Sequence, residues 1–443
     1  MDSKDSAALI SESRARWRNW SGRVRFTPKR QARPQSLEQL QSVVRQTAEA
    51  GRRLRVCGSG HSFVPLVETS DTLLDLSGLS GVEAVDGTRA TVWAGTSLKP
   101  LGGLLRAQGL GMQNLGDINR QALAGAVSTG THGTGLGLGS ISTQVVGMTL
   151  VLADGSSLHC SATENPEVFA AARVSLGALG VIAKLQLQLQ PAYRLRLQKL
   201  AMDLDECLDQ APTLARDHRH FEFYWFPHTR KTGVKLMQLS EEPKSRTALT
   251  TASEIVIENG ALGLISKLAR ANPDWCAPLS RLMAWSMKGD AGSMVADAHR
   301  AFSTVRWVRF NEMEYELPAE NGACALRELA EFVERRSIRV HFPVEYRYVR
   351  GDDIWLSPFH GRDSVAISVH QYQGMDYGAY FDGAEAIFRN HGGRPHWGKM
   401  HALRAPQLAA LYPRWDDFHA LRRRLDPAGV FMNPYLQSLF EDA

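Results

Sequence analysis

The 443-residue chain has few cysteines. The five (Cys57, Cys160, Cys207, Cys276, Cys324) are odd in number, widely spaced and without a Cys-x-x-Cys pair. That excludes a disulfide framework and a redox or zinc dithiol as organising features, and it fits reduced thiols in a cytoplasmic protein. No stretch reaches the roughly 18 apolar residues of a membrane span, so no transmembrane segment is expected. Asp2, Lys4 and Asp5 break up Met1–Ile10, which lacks the apolar run of a secretory signal. Blocks of one charge sign are also scarce. The 51 basic and 46 acidic residues are dispersed, and Arg422, Arg423 and Arg424 form the one tight basic run, which reads as a solvated helix face. No nucleic-acid partner is expected. No Gly-Lys-Ser/Thr follows a glycine loop, and Phe63 stands where Gly58-x-Gly60 would need a third small residue, which excludes a P-loop and an NAD-type turn.

What is present is globular: 44% hydrophobic and 22% charged residues. The length exceeds what one core organises, so two domains are expected. Ser36 and Gln39 cap a helix that Gly51 closes, a strand Leu54–Cys57 runs into the turn Gly58-Ser59-Gly60-His61-Ser62, and a second strand spans Leu73–Leu76. Asp86-Gly87 and Asp154-Gly155 mark hairpins, with a helix over Leu98–Leu105 between them. Val181–Gln190 alternates strictly and reads as a half-exposed strand ended by Pro191. A domain boundary is placed there. Beyond it the chain is α+β, with strands expected at Phe221–Phe226, Val305–Arg309, Glu312–Leu317, Val340–Val349 and Val365–Tyr372. Helices are expected around 293–303, 324–336 and 376–390, and also at Leu264–Leu268 and Leu282–Met287.

Two stretches of small residues, Gly58–Ser62 and Gly125–Gly139, let backbone N–H groups approach a diphosphate closely while Ser and Thr hydroxyls add donors. One such loop commonly serves only a tight turn; two in one domain point to a phosphate-bearing cofactor. Glu345 and Arg347 lie two apart on a strand and share a face. Glu312, Glu314 and Glu316 also share a face, read as structural rather than as a metal site because no histidine accompanies them. No metal is expected.

The runs Val-Cys-Gly-Ser-Gly-His-Ser-Phe (56–63), Asn-Leu-Gly-Asp-Ile (114–118), Ala-Gly-Ala-Val-Ser-Thr-Gly-Thr-His-Gly-Thr-Gly (124–135) and Gly-Ala-Leu-Gly-Val-Ile (177–182) resemble the FAD domain of sugar-lactone and alditol oxidases, flavoproteins of the vanillyl-alcohol-oxidase type. Glu-Met-Glu-Tyr (312–315), Phe-Pro-Val-Glu-Tyr-Arg (342–347) and His-Trp-Gly-Lys (396–399) resemble the C-terminal domain of arabinono-, gulono- and galactonolactone oxidases. The resemblance implies an α+β, two-domain FAD-binding (PCMH-type) fold. Residues 1–190 would form the FAD domain, 191–395 the substrate or cap domain, and 396–443 a segment returning to the FAD domain.

The resemblance further implies FAD bonded covalently through His61 and contacted by Gly58, Ser59, Gly60, Ser62, Gly116, Asp117, Ile118, Gly125, Ala126, Ser128, Thr129, Gly130, His132, Gly133, Gly180, Val181, Ile182 and Lys399. Related dehydrogenases carry a bulkier residue where Gly116 stands, so the glycine favours oxygen as acceptor. Catalysis would fall to Glu345, which orients the substrate hydroxyl, and to Arg347, Lys399 and His396, with Trp397 against the flavin or the pocket wall. Hydride would pass from a sugar-derived 1,4-lactone to flavin, and molecular oxygen would become hydrogen peroxide. An alditol substrate, a dehydrogenase with another acceptor and a non-catalytic flavin-binding module remain the alternatives. Lys399→Ala and Arg347→Ala are expected to impair flavin reduction far more than folding.

Overall fold

A computed structural model describes residues 9–245, 248–287, 289–303 and 306–441. Met1–Ala8, and with them most of the stretch read for a signal, lie outside the described residues. Among the described residues no helix is long and apolar enough to cross a membrane.

The first part of the chain builds two sheets. In one, the strands run in the order Ile10–Glu12, Arg30–Ala32, Thr72–Asp75 and Leu54–Cys57, and the last three are mutually parallel. The helix Leu37–Glu49 supplies the crossover, capped as expected by the Ser36 side chain, which accepts from the Gln39 N–H. The other sheet is antiparallel, in the order Ser157–Ser161, Val145–Val151, Val181–Gln188, Arg89–Trp93 and Val82–Asp86. Both aspartate–glycine hairpins fall where the sequence placed them, and Val181–Gln188 alternates buried and half-buried residues at its far end.

From Arg194 onward the chain forms one antiparallel sheet of eight strands. Their order is Asp290–Asp297, Arg194–Asp203, Lys231–Leu239, His220–Trp225, Val344–Val349, Ser364–Tyr372, Phe310–Pro318 and Arg394–Pro395. The period-2 pattern divides its central strands into two faces. Phe221, Phe223, Trp225, Met313, Tyr315, Leu317, Val344, Tyr346 and Tyr348 face one side, where the helices Leu204–Asp217, Gly322–Arg335 and Gly378–Asn390 cover the sheet. Glu222, Glu312, Glu314, Glu316, Glu345 and Arg347 face the other side, and all six are buried too. A charged sheet face held away from water must find partners of opposite sign. It finds them mainly within the sheet and in Arg306 and Lys399, with His132 from the first part of the chain, and that is where the site lies. The last 40 or so residues return to the first part: Leu54 N–H bonds Val430 O at 2.8 Å, and the Asn433 amide donates to Glu68 O at 2.8 Å.

Some expectations are corrected. The stretch 293–303 is not one helix; Asp290–Asp297 is an edge strand paired with Arg194–Gln198, followed by a short helix Ala298–Ala301. Pairing with a long neighbour overrode the local helix pattern. Of Val305–Arg309, Val305 lies outside the described residues and Arg306–Arg309 form no strand; the strand begins at Phe310. Val340–Val349 is a strand only from Val344, just after Pro343, which has no N–H for the ladder. In the basic run Arg422 is buried at 7% exposure, so only Arg423 and Arg424 present a solvated face.

Candidate active site

The turn after Leu54–Cys57 and the helix Leu123–Ser128 border a cavity of about 390 Å³, lined among others by Gly58, Ser59, Gly60, His61, Ser62, Gly125, Ser128, Thr129, Gly180 and Ile182. Among the described residues the N–H groups of Ser59, Gly60, His61 and Ser62 have no hydrogen-bond acceptor, although the turn is held in place by its carbonyls. Trp20 N–H bonds Gly60 O at 2.7 Å, and the Asn19 amide bonds Ser62 O at 2.8 Å. Gly60 has φ +70°, and a Cβ there would press on the Trp17 ring at 3.1 Å, so this turn needs glycine for both conformation and space. Four successive free donors in a small-residue cradle fit a diphosphate group. Beneath them the buried Arg55 guanidinium donates to Leu66 O, Leu176 O and Phe431 O and so fixes three segments behind the cavity wall.

A second cavity of about 70 Å³ adjoins the first, and His61, Ser62, Gln121 and Thr129 line both. Its walls bring together Gly116, Asp117, Ile118 and His132 from the first part of the chain with Glu345, Arg347, His396 and Lys399 from the second. Four expected cofactor residues lie behind these walls. Ala126 and Val181 are core residues, a Cβ on Gly130 would meet Pro358 at 3.3 Å, and one on Gly133 would strike Leu115 O at 2.3 Å. The glycines there allow chain segments to pack closely, a need that looks the same in sequence as a phosphate cradle.

The chamber is a ladder of paired charges. Lys235 reaches Glu222 at 3.0 Å, and Glu222 sits directly across the strand pair from Arg347 and bonds its Nε at 2.8 Å. Arg347 Nη2 forms an ion pair with Glu345 Oε2 at 2.7 Å, Arg306 Nη2 donates to Glu345 Oε1 at 2.8 Å, and the same Arg306 nitrogen contacts Asp117. Burial pushes the Glu222 carboxyl up, but Lys235 and Arg347 outweigh it and bring it down to about 2. Burial likewise opposes the charge on Arg347, yet Glu345 and Glu222 hold it firmly as a cation.

The second cluster surrounds Lys399, whose ammonium contacts Glu312 and lies 3.7 Å from Glu314. These carboxylates more than offset its burial and raise its pKa, so it is a fixed cation and not a base. Glu314 accepts from His132 at 2.7 Å and from the Ser368 hydroxyl, and His370 Nε2 lies 3.4 Å from Glu312. The premise that no histidine accompanies the three glutamates is therefore overturned. Donor atoms of His132, Glu314, Glu316 and His396 lie within 4.8 Å of one another. Glu316 has neither oxygen hydrogen-bonded among the described residues, and burial together with neighbouring Glu314 drives its carboxyl well above the usual range.

His396 is buried and its pKa falls to about 3, first through burial. Its Nδ1 accepts the Gly398 N–H at 3.0 Å, which leaves Nε2 as the protonated nitrogen of a neutral ring and makes the residue a donor. Trp397 is corrected outright. It turns away from both cavities, donates to Leu356 O at 2.6 Å and stacks on Tyr412 at 5.1 Å, anchoring the His-Trp-Gly-Lys segment in the core. His61, 5.9 Å from the Trp20 ring, is lowered to about 4 by burial, then by Lys399 and Arg120. Its imidazole is thus neutral near pH 7, with a lone pair available. Sequence reasoning missed Arg306, Glu222 and Lys235; the first two lay in stretches read only as strands. For Glu222 a signal existed: it is the lone charge in the apolar strand Phe221–Trp225.

Residues 185–439 match the D-arabinono-1,4-lactone oxidase family, and residues 28–161 match an FAD binding domain. The chain is 40% identical over 423 residues to an L-gulono-1,4-lactone dehydrogenase of Mycobacterium tuberculosis, covering 95% of this chain and 97% of the relative. It is 33% identical to the L-gulonolactone oxidase of Scyliorhinus torazame over 95% of this chain and 97% of the relative. It is 30% identical to an alditol oxidase of a Streptomyces species over 96% and 98%. In fold it resembles cholesterol oxidase from Brevibacterium sterolicum, with a TM-score of 0.83, 18% identity and 97% of each chain covered. The glycine-loop cavity and the paired-charge chamber thus belong to a PCMH-type flavoprotein: the chain is a member of the aldonolactone oxidase and dehydrogenase family of FAD-binding oxidoreductases.

Proposed function

We propose that this protein oxidises a neutral sugar-derived 1,4-lactone at a hydroxyl-bearing carbon, with FAD attached through His61 and oxygen as the acceptor. One observation carries the substrate class. Among the described residues, each cation lining the chamber is already matched by carboxylates: Arg306 by Asp117 and Glu345, Arg347 by Glu345 and Glu222, Lys399 by Glu312 and Glu314. No surplus positive charge waits for an aldonate or a sugar phosphate, whereas the many donors and acceptors suit a ring bearing hydroxyls.

Bound flavin would supply the hydride acceptor. The protein's own share is orientation and electrostatics. Glu345, held at both oxygens, accepts the hydroxyl hydrogen bond and sets the carbon's C–H direction. The hydroxyl proton passes along that hydrogen bond to Glu345 as the hydride leaves, Arg347 and Lys399 stabilise the negative charge uncovered on the oxygen, and His396 donates from Nε2. His61 lines both cavities, and its neutral imidazole supports the role of attachment point.

For the acceptor, Gly116 lines the chamber without a side chain, which supports access by oxygen. The 40% identity to a protein named a dehydrogenase favours a second reading, with electrons passed to another acceptor. Anaerobic mixing of the purified protein with lactones, the corresponding open-chain aldonates and alditols tests the substrate. Bleaching of the flavin by a lactone but not by its aldonate is expected; bleaching by alditols alone would replace the lactone with a polyol, and bleaching by none would remove the reading. Air then decides the acceptor: stoichiometric peroxide supports the oxidase, while slow peroxide with fast dye reduction supports the dehydrogenase. His61→Ala should release its flavin into the supernatant on acid precipitation; flavin retained in the pellet would place the bond elsewhere.

A further inference from the structure

Glu345 has two guanidinium partners. Arg347 Nη2 pairs with Oε2 at 2.7 Å and Arg306 donates to Oε1 at 2.8 Å, so a cation constrains each oxygen of the carboxylate. Through the same nitrogen Arg306 also grips Asp117, in the loop 115–118 of the first part of the chain, and its guanidinium rests over the Phe310 ring at 5.6 Å. The charges alternate along Lys235, Glu222, Arg347, Glu345, Arg306 and Asp117, and Arg306, like the His132–Glu314 pair, links the two halves of the chamber.

We propose that Arg306 is a positioning residue for the reaction, aligning Glu345 toward the substrate hydroxyl and tying the cap sheet to the Asp117 loop. This rests on the lactone reading above, in which Glu345 meets the hydroxyl. Glu345 and Asp117 both contact one Arg306 nitrogen, so without it two like charges face each other in a chamber with little water. Burial pushes the Asp117 carboxyl up, and Arg306 is the foremost of the cations that hold it well below the usual range. Removing that cation should let the Asp117 carboxyl rise, with Lys235 and Arg347 left to oppose its burial, and leave Glu345 paired at Oε2 alone.

The test uses the flavin-loaded protein with Arg306→Gln, Arg306→Lys and the double variant Asp117→Asn/Arg306→Gln, following steady-state turnover of the best lactone across pH together with anaerobic flavin reduction. In Arg306→Gln, kcat should fall on the order of 100-fold with KM little changed. The profile should gain a titration step between about pH 5 and 8 that the parent lacks and the double variant loses. Arg306→Lys should recover to within about 10-fold, since one ammonium keeps the charge but cannot hold two carboxylates in a set plane. A purely structural role would lower the melting temperature without creating the step. A parental rate and profile in Arg306→Gln, or a step that survives in the double variant, overturns the proposal. If Arg306→Gln does not accumulate, Arg306→Lys decides alone: kcat about 10-fold down supports it and an unchanged kcat refutes it. If no lactone or alditol reduces even the parent, the substrate reading fails while the Asp117 tie is still tested. Arg306→Gln should then gain stability relative to the parent between pH 8 and 5, and parallel melting curves would overturn it.

Discussion

The loops at Gly58–Ser62 and Gly125–Thr129 offer a ligand backbone N–H groups, small hydroxyl side chains and one imidazole, whereas the chamber beside them is made of charged side chains that already hold one another. In the first region recognition depends on where side chains are missing: free N–H groups on Ser59 through Ser62 and a left-handed turn at Gly60. In the second it depends on strands that alternate between a core face and a charged face, closed by loops from distant parts of the sequence. The difference predicts which substitutions unfold the protein and which only disarm it. Chamber charges are structural and functional together, because each is a buried partner of another; loop glycines separate into those that serve packing and those that serve the ligand.

The largest expected effect is at Arg347. Replacing it by alanine leaves buried Glu222 with Lys235 alone and buried Glu345 with Arg306 alone, and should cost up to about 3 kcal/mol of stability as well as flavin reduction. The sequence-level expectation that folding would be largely spared does not fit this geometry. Denaturant unfolding of Arg347→Ala against Glu222→Gln/Arg347→Met sharpens the point. The double variant removes one of the two carboxylates that lost a partner and should regain part of the loss, and an Arg347→Ala midpoint equal to the parent's would show that the pairs with Arg347 contribute nothing to folding.

Next comes the pH dependence. Burial lowers His220 and His341 to about 4 and His396 to about 3, with the smaller influences of their neighbours included. A histidine depressed below its unfolded value of 6.5 contributes stability that is complete above pH 6.5 and lost as the pH falls toward 4. Glu222 and Glu312, each brought to about 2, follow the carboxylate rule: their contribution holds above about 4.5 and disappears toward pH 2. The melting temperature should therefore fall in two stages, the first between pH 6.5 and 4, carried by the cap and its contacts. His341→Gln should shrink the first stage and leave the second; an unaltered first stage would show that the buried imidazole does not titrate there.

The same contrast explains what the sequence disclosed. The glycine loops are contiguous, and a run such as Gly-Ser-Gly-His-Ser carries its own geometry, so the cofactor cavity was legible. So was the shared face of Glu345 and Arg347, because two residues on one strand need no knowledge of the fold. Arg306 was not, since its partners Asp117 and Glu345 lie 189 and 39 residues away and only the fold brings them to one nitrogen. His132, which meets Glu314 from 182 residues away, escaped for the same reason, and with it the histidine environment of the glutamates. Trp397 failed differently. Next to His396 and Lys399 it read as part of the site, but the segment is a tight turn, closed by Lys399 N–H to His396 O at 2.9 Å, and the tryptophan faces the core from it.

Among the glycines the comparison becomes quantitative. A Cβ on Gly133 would strike Leu115 O at 2.3 Å and the Asn114 side-chain oxygen at 2.4 Å. Gly133→Ala should therefore displace the loop that carries Gly116 and Asp117, at a cost of about 1–3 kcal/mol measured by unfolding of the flavin-free protein.

The smallest expected effect on folding is the most telling about the ligand. Gly125 lies inside the helix Leu123–Ser128, lines the larger cavity, and a Cβ there would meet nothing within 4 Å. In an ordinary helix such a position gains up to about 1 kcal/mol on changing to alanine, because the unfolded chain loses freedom and the helix loses nothing. Glycine at this position is therefore not explained by folding, only by something that must approach the helix closely. Gly125→Ala should raise the melting temperature of the flavin-free protein slightly and lower flavin retention after dialysis, preferably measured in a His61→Ala background so that no covalent bond masks the loss. A flavin content equal to that of His61→Ala alone would mean that the cofactor does not reach this helix, and the division between packing glycines and ligand glycines would have to be drawn elsewhere.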